Sequence, residues 1–226
     1  MHYNVIRKIS GLLLALFSFT MLPPILVSYI YQEQNHQPFL IGFLVVFLTG
    51  LGLWFSAKNA KGELRTRDGF VVAVVFWLSL GLSGSIPFYV STLPSLSLTD
   101  AIFESISGLT TTGATVITGL DQLPKSILFY RQQLQWLGGM GIIVLAVAIL
   151  PMLGIGGMQL YKAETPGPVK DAKLTPRITE TAKALWEIYL GLTILCSLAY
   201  WLGGMTLFDA ISHSLSTVSI GGFSTH

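Results

Sequence analysis

A short element occurs twice in this chain, 109 residues apart, each time directly after a long apolar segment. Residues 98–115 read LTDAIFESISGLTTTGAT and residues 207–224 read LFDAISHSLSTVSIGGFS. Aligned without a gap, they share Leu98/Leu207, Asp100/Asp209, Ala101/Ala210, Ile102/Ile211, Ser105/Ser214, Ser107/Ser216 and Gly113/Gly222. The same offset pairs Trp77 with Trp186 in the apolar segments that precede them. Each copy is too short and too polar to cross a bilayer, whereas each preceding segment is long enough to do so. A hydrophobic span, a short half-helix and an extended Ser/Thr/Gly-rich stretch, repeated, is the layout of a re-entrant pore loop.

Composition agrees with a membrane setting. Of 226 residues, 52% are hydrophobic and 11% charged, and the mean hydropathy is +0.66. A soluble domain carries about a quarter charged residues, so this chain cannot solvate a globular surface of ordinary size. The net charge of +2 argues against nucleic-acid binding. The single cysteine, Cys196, lies in an apolar run, which excludes a disulfide framework or a thiolate metal site. The first apolar stretch, about 9–31, contains Pro23-Pro24 and runs into QEQNHQP, so it lacks the small-residue cleavage site of a signal peptide.

Hydropathy predicts an all-α polytopic membrane protein with five spanning helices, at about 5–31, 38–57, 69–92, 127–151 and 179–203. Half-helices are expected at about 99–110 and 207–217. Thr99-Asp100 suits an N-terminal cap, where a carboxylate accepts backbone N–H bonds and meets the positive end of the helix dipole. That role is favoured for Asp100 and Asp209 over ion binding. Pro23-Pro24 should kink the first helix, which a bundle tolerates when neighbours satisfy the freed carbonyls. In LGGMG at 137–141, close helix packing is favoured over a flexible point.

Basic residues orient the chain. Arg7 and Lys8 precede the first helix; Lys58, Lys61, Arg65 and Arg67 fill the second loop; Lys162, Lys170, Lys173, Arg177 and Lys183 follow the fourth helix. The loop at 32–38 holds no lysine or arginine. By the positive-inside rule the N-terminus, 58–68 and 152–178 are cytoplasmic. Both repeated loops then open outward, with Lys125 and Arg131 as minor exceptions on the outer side. The parity holds only if 98–126 enters and leaves on one face. YKAETPGPVKDAKLTPR (161–177) reads as a solvated linker or as a docking surface for a cytosolic partner.

A monovalent cation crossing a membrane must exchange its water for protein oxygens at little net cost. Consecutive backbone carbonyls serve when an extended strand aims them at an axis. Such a strand needs glycine where the backbone takes conformations closed to other residues. Thr110-Thr111-Thr112-Gly113 and Ser219-Ile220-Gly221-Gly222 meet that need at equivalent positions. Half-helices ahead of them aim negative C-terminal ends inward, which favours cations. Neither segment holds a carboxylate, and this favours K⁺ or Na⁺ over Ca²⁺. The competing reading is a duplicated helix–loop unit in which Gly113 and Gly222 only cap the half-helices. An intramembrane enzyme is disfavoured. Glu104 and His213 occupy equivalent positions, but no nucleophile–base pair or metal-ligand cluster accompanies them.

In AIFESISGLTTTGATVI, RQQLQWLGGMGIIVLAVAILPMLGIGG, YKAETPGP and SHSLSTVSIGGFSTH, the chain resembles the membrane subunit of the Trk-type potassium-uptake systems, in the Trk/Ktr/HKT superfamily. The resemblance covers essentially the whole chain and implies potassium uptake across a bacterial inner membrane, with no cofactor and no enzymatic activity. It implies a pore of four covalently joined helix–pore-loop–helix repeats, in some members preceded by two extra helices. Here 1–60 would be the extra pair, 61–160 the first repeat, 161–178 a cytoplasmic linker and 179–226 the start of a second repeat. The filter positions then fall on Thr111, Thr112 and Gly113 and on Ile220, Gly221 and Gly222. The carbonyls of Thr111, Thr112, Ile220 and Gly221 are the expected K⁺ ligands. The resemblance also implies a homodimer and a cytosolic nucleotide-binding (TrkA-like) regulatory subunit. Selectivity depends on all four filters, so a Na⁺ or mixed-cation pathway stays open. Two filters cannot enclose an ion, and the 226 residues alone are expected to be inactive.

Overall fold

Proline positions decide where the first long helix leaves α geometry. The computed structural model describes residues 3–60, 66–153 and 174–226. Helix α1 (Tyr3–Ser18) passes through a 3₁₀ turn (Phe19–Met21) into α2 (Leu22–Ile30), whose first turn holds Pro23 and Pro24. Proline at a first turn costs no hydrogen bond that the helix would otherwise make. Pro24 cannot donate to the Thr20 carbonyl one turn back, and Gln133 Nε2 donates to that oxygen instead at 2.9 Å. The α-helical ladder is thus interrupted at the expected place, and a neighbouring helix supplies the missing donor.

Helix α3 (Gln37–Ala57) runs back antiparallel along α1 and α2. Gly42 lies against Met21, Gly50 against Ala15, and Gly11 against Trp54. A Cβ on Gly11 would come within 2.7 Å of the Gly50 carbonyl oxygen, so this crossing needs both glycines. Helix α4 (Thr66–Gly84) packs on α1 and is followed by α5 (Ile86–Val90). The single helix expected at 69–92 is thus two. Pro87, in the first turn of α5, has no N–H with which to continue the α4 ladder, and the chain turns at Ser85. Tyr130 satisfies the break: its hydroxyl donates to the Gly84 carbonyl at 3.0 Å, while its ring packs on Phe39 and Phe88. The core collects Val5, Ile9, Leu13, Phe17, Phe39, Phe76, Phe88, Tyr130 and Leu134 around this point.

Two short helices follow the long ones: α6 (Leu98–Leu109) before α7 (Lys125–Leu153), and α9 (Leu207–Val218) after α8 (Leu174–Leu202). Among the described residues, four segments are long and apolar enough to cross a membrane: Tyr3–Ile30, Gln37–Ala57, Val71–Val90 and Lys183–Leu202. The fifth expected span is α7, 29 residues long, which carries Arg131, Gln132, Gln133 and Gln135 in its first half. Among the described residues there is no β-strand. The expected boundaries at 60/61 and 160/161 fall outside the described residues, as do Lys61, Arg65, Lys162, Lys170 and Lys173. Helix α8 begins at Leu174, five residues ahead of the span expected from 179 and inside the expected linker 161–178.

Both ends of the bundle can be traced. At one end Arg7 Nη2 donates to the Ser56 carbonyl. At the other, the Glu33 carboxylate after α2 accepts from the backbone N–H groups of Lys125 and Ser126, at 2.6 and 3.1 Å, and so caps α7. Asn35 bridges Ser126 and Ser91 there. Lys125 lies 4.0 Å from the Tyr31 ring centroid, and Tyr31 packs edge-on against Phe208 at the start of α9. Residues 91 and 125 thus flank α6 at one end of the bundle, the end where α9 also begins. The segment between them begins and returns at that one end of the bundle.

Candidate functional site

The two half-helices start with the same cap. Ser97 Oγ accepts from the Asp100 N–H at 3.2 Å and donates to Asp100 Oδ2 at 2.7 Å. Thr206 Oγ1 makes the same two bonds with Asp209, at 3.2 and 2.5 Å. The cap is therefore Ser97 or Thr206, two residues ahead of the expected Thr99-Asp100 position. The aspartates stand in the first turn, where the dipole favours a carboxylate.

They also end alike. The N–H groups of Thr111 and Thr112 reach back to the carbonyls of Gly108 and Ser107, at 3.0 and 2.9 Å. Those of Ile220 and Gly221 reach Thr217 and Ser216, at 3.0 and 2.8 Å. This is the paired-bond Schellman closure, whose second-to-last residue must be left-handed. Thr111 has φ 54° and Ile220 φ 57°. Both are β-branched, for which this region costs about 1–3 kcal/mol, and such strain gathers at functional sites. Thr110 and Ser219 are helix caps rather than extended residues. The half-helices are thus closed by Thr111 and Ile220, and the reading of Gly113 and Gly222 as mere caps does not hold.

Gly113 (φ 75°) and Gly222 (φ 87°) lie two residues further on and are left-handed again. Left-handed residues at every second position turn successive carbonyls to one side, whereas a β-strand would alternate them. Among the described residues, no protein donor is bonded to the carbonyls of 111–113 or 220–222. One serine fastens each segment at both ends. The Ser107 carbonyl accepts from Thr112, and its hydroxyl donates to the Ala114 carbonyl at 2.6 Å. Ser216 holds Gly221 and Phe223 in the same way, the latter at 2.9 Å. These serines are identical in the sequence repeat, and that identity was the available signal for their role.

The segments meet each other. A Cβ on Gly113 would collide with the Gly221 carbonyl oxygen. Helix α7 backs both: a Cβ on Gly138 would strike the Leu109 carbonyl oxygen, and one on Gly139 would lie 3.1 Å from the Ser219 Cβ. The LGGMG stretch stays helical and serves close packing. Gln135 presses on Gly221, and its Oε1 accepts from the Phe223 N–H at 3.1 Å.

Side-chain supports differ between the copies. In the first, Glu104 accepts from the Thr115 hydroxyl, the Val116 N–H and Arg131 Nε, and this ion pair is fully buried. In the second, His213 at the equivalent position meets the Thr225 hydroxyl at 2.9 Å, and Thr225 donates to Asp209. Beyond both segments, His226 lies between Asp121 of the first loop and Asp209 of the second, at 2.8 and 3.4 Å. The hydrogen bond to Asp121 is the main cause that raises the His226 pKa above its usual 6.5. Among the described residues, no group of three or more His, Cys, Asp or Glu side chains is placed to hold a metal ion.

The family model described as "TrkH: Cation transport protein" matches residues 35–226. The chain is 65% identical over 226 residues to the Trk system potassium uptake protein TrkH of Vibrio parahaemolyticus serotype O3:K6 (strain RIMD 2210633), covering all of this chain and 47% of that one. It is 59% identical to TrkH of Escherichia coli (strain K12), again over all of this chain and 47% of the relative. With TrkG of the same strain it shares 49% over 225 residues, 46% of that protein. The crystal structure of the potassium transporter TrkH from Vibrio parahaemolyticus superposes with a TM-score of 0.84 at 59% identity, over all of this chain and 45% of that one. The chain spans about half the length of the curated relatives it matches.

Proposed function

The chain belongs to the TrkH family of cation transport proteins, and from that premise we propose that its two extended segments are filter strands of a potassium-uptake pathway. The observation that carries this reading is the repeated backbone. Thr111 and Ile220, then Gly113 and Gly222, are left-handed at matching positions, and among the described residues the carbonyls between them have no protein partner. Carbonyl dipoles held this way replace the hydration shell of a monovalent cation, and two half-helix C-termini behind them lower the energy of positive charge. Thr111, Thr112, Gly113, Ile220, Gly221 and Gly222 line the path. Ligation comes chiefly from the carbonyls of Thr111, Thr112, Ile220 and Gly221, with the glycines supplying conformation. The relatives named as potassium uptake proteins support K⁺ as the ion.

The test is isotopic K⁺ and Na⁺ uptake by the full-length protein in cells stripped of their own potassium uptake. Accumulation of K⁺ well in excess of Na⁺ is expected. Comparable uptake of both ions supports the mixed-cation pathway instead, and no cation uptake overturns the proposal.

The same reading places the N-terminus in the cytoplasm of a bacterial inner membrane and both pore loops outside, on the lysine and arginine distribution. In a Cys196→Ser background, an impermeant thiol reagent should label Gln122→Cys but not Lys58→Cys in intact cells; the reverse pattern refutes the orientation. A homodimer and a cytosolic nucleotide-binding regulatory subunit complete the proposed assembly. Docking through Lys162, Lys170, Lys173 and Arg177 should weaken most at low ionic strength when all four are neutralised. Unchanged co-purification would leave that segment a linker.

A further inference from the structure

We infer that Arg131 is a positioning residue that ties the two extended segments together and holds their relative placement. The inference rests on the filter reading above. Arg131 is fully buried on α7, and among the described residues only Asp68 and Glu104 are charged side chains buried like it. An ionisable group at such depth is costly and needs several partners. Its guanidinium uses all three nitrogens. Nε donates to Glu104 Oε1 at 2.8 Å, and Nη2 donates to Thr115 Oγ1 at 2.9 Å, both on the first loop. Nη1 donates to the Ser224 carbonyl at 3.0 Å, on the second loop. The Phe223 ring stacks 4.3 Å from Cζ.

Glu104 in turn fixes the strand that leaves the first segment. Its carboxylate accepts the Thr115 hydroxyl at 2.9 and 3.0 Å and the Val116 N–H at 3.2 Å. Thr115 and Ser224 are equivalent in the repeat and lie two residues beyond Gly113 and Gly222. One rigid fork therefore grips the same point of both loops. Gln135, one turn further along α7, adds the Phe223 N–H from the same helix face. The spacing between two carbonyl sets is what a filter must control, and here it is carried by a side chain outside both.

A lysine keeps the charge opposite Glu104 but lacks the planar fork that reaches both loops at once. This separates positioning from charge balance. Arg131→Lys in the full-length protein, purified and reconstituted, should insert normally and keep its transport rate within a few-fold. Its K⁺-over-Na⁺ flux ratio should fall about tenfold, the size of one lost charge-assisted hydrogen bond. Arg131→Met leaves Glu104 buried and unpaired and is open to misfolding. The paired variant Glu104→Gln/Arg131→Met removes both charges and should show the same loss of ratio at normal membrane levels. A merely structural role lowers the amount or rate of active protein with the flux ratio unchanged, and that result in both Arg131→Lys and the paired variant overturns the inference. If the unsubstituted protein itself does not prefer K⁺, the filter reading has failed, which is a separate outcome.

Discussion

The two repeated loops share a backbone and its local caps and clamps, and differ in the side chains that anchor them to the rest of the bundle. Each has a hydroxyl cap, an aspartate in the first turn, a Schellman closure on a β-branched residue, and a serine pinning the segment beyond it. Behind the first loop stands a buried ion pair, Glu104–Arg131. Behind the second stand His213, Thr225 and Asp209, together with Gln135 and Arg131 contributed by the first repeat. What recurs is the left-handed backbone that sets the carbonyls of 111–113 and 220–222. What varies is how each loop is anchored to its own surroundings. The first loop is held by its own following helix. The second borrows that helix, so its shape depends on the first repeat.

The glycines offer the strongest way to break this parallel. Gly113→Ala and Gly222→Ala each force a residue with a side chain into the left-handed region, at about 1–2 kcal/mol. Both should reduce K⁺-over-Na⁺ flux in the reconstituted full-length protein. The effects should not be equal. A Cβ at 113 also meets the Gly221 carbonyl, while one at 222 meets nothing within 4 Å. Gly113→Ala should therefore be the more damaging, and a larger loss at 222 would mean the two segments are not in contact as described.

The serine clamps sharpen the comparison where the loops agree. Ser107→Ala and Ser216→Ala each remove one hydroxyl bond, to Ala114 and to Phe223. The expected loss is about 1 kcal/mol, close to fivefold in selectivity, and similar in the two repeats. A silent Ser107→Ala beside a damaging Ser216→Ala would show that the first loop is held by Glu104 alone.

The smallest effect lies at His226. The bond to Asp121 raises the His226 pKa, so the protonated ring favours the cross-loop contact. That contribution is complete below the unperturbed value of 6.5 and is lost as external pH rises through the raised one. A modest change in transport across that window should vanish in His226→Gln. Persistence of the change in His226→Gln would assign it to another group.

Much of this was legible from residues alone. The duplicated element located both half-helices to within a residue or two, because capping and closure are local chemistry. The left-handed glycines were legible for the same reason. Pro87 was visible, yet the expected helix ran through it, because hydropathy continued unbroken to Val90. Arg131 reads from the sequence only as an outer-side exception to the charge rule, near the start of the span expected at 127–151. Its position inside an apolar run opposite Glu104 was the missed signal, since a lone charge at depth needs a partner. Gln135 offered no signal: its partner Phe223 is 88 residues away, in the other repeat.

The central claim is that 111–113 and 220–222 present carbonyls to one ion path. Anomalous scattering from crystals of the full-length protein grown in Rb⁺ or Tl⁺ tests it directly. The account predicts ion density within coordination distance of the Thr111, Thr112, Ile220 and Gly221 carbonyl oxygens, shared between the two segments. Bound ions located elsewhere in the protein, with those carbonyls bonded to protein or water, would contradict it.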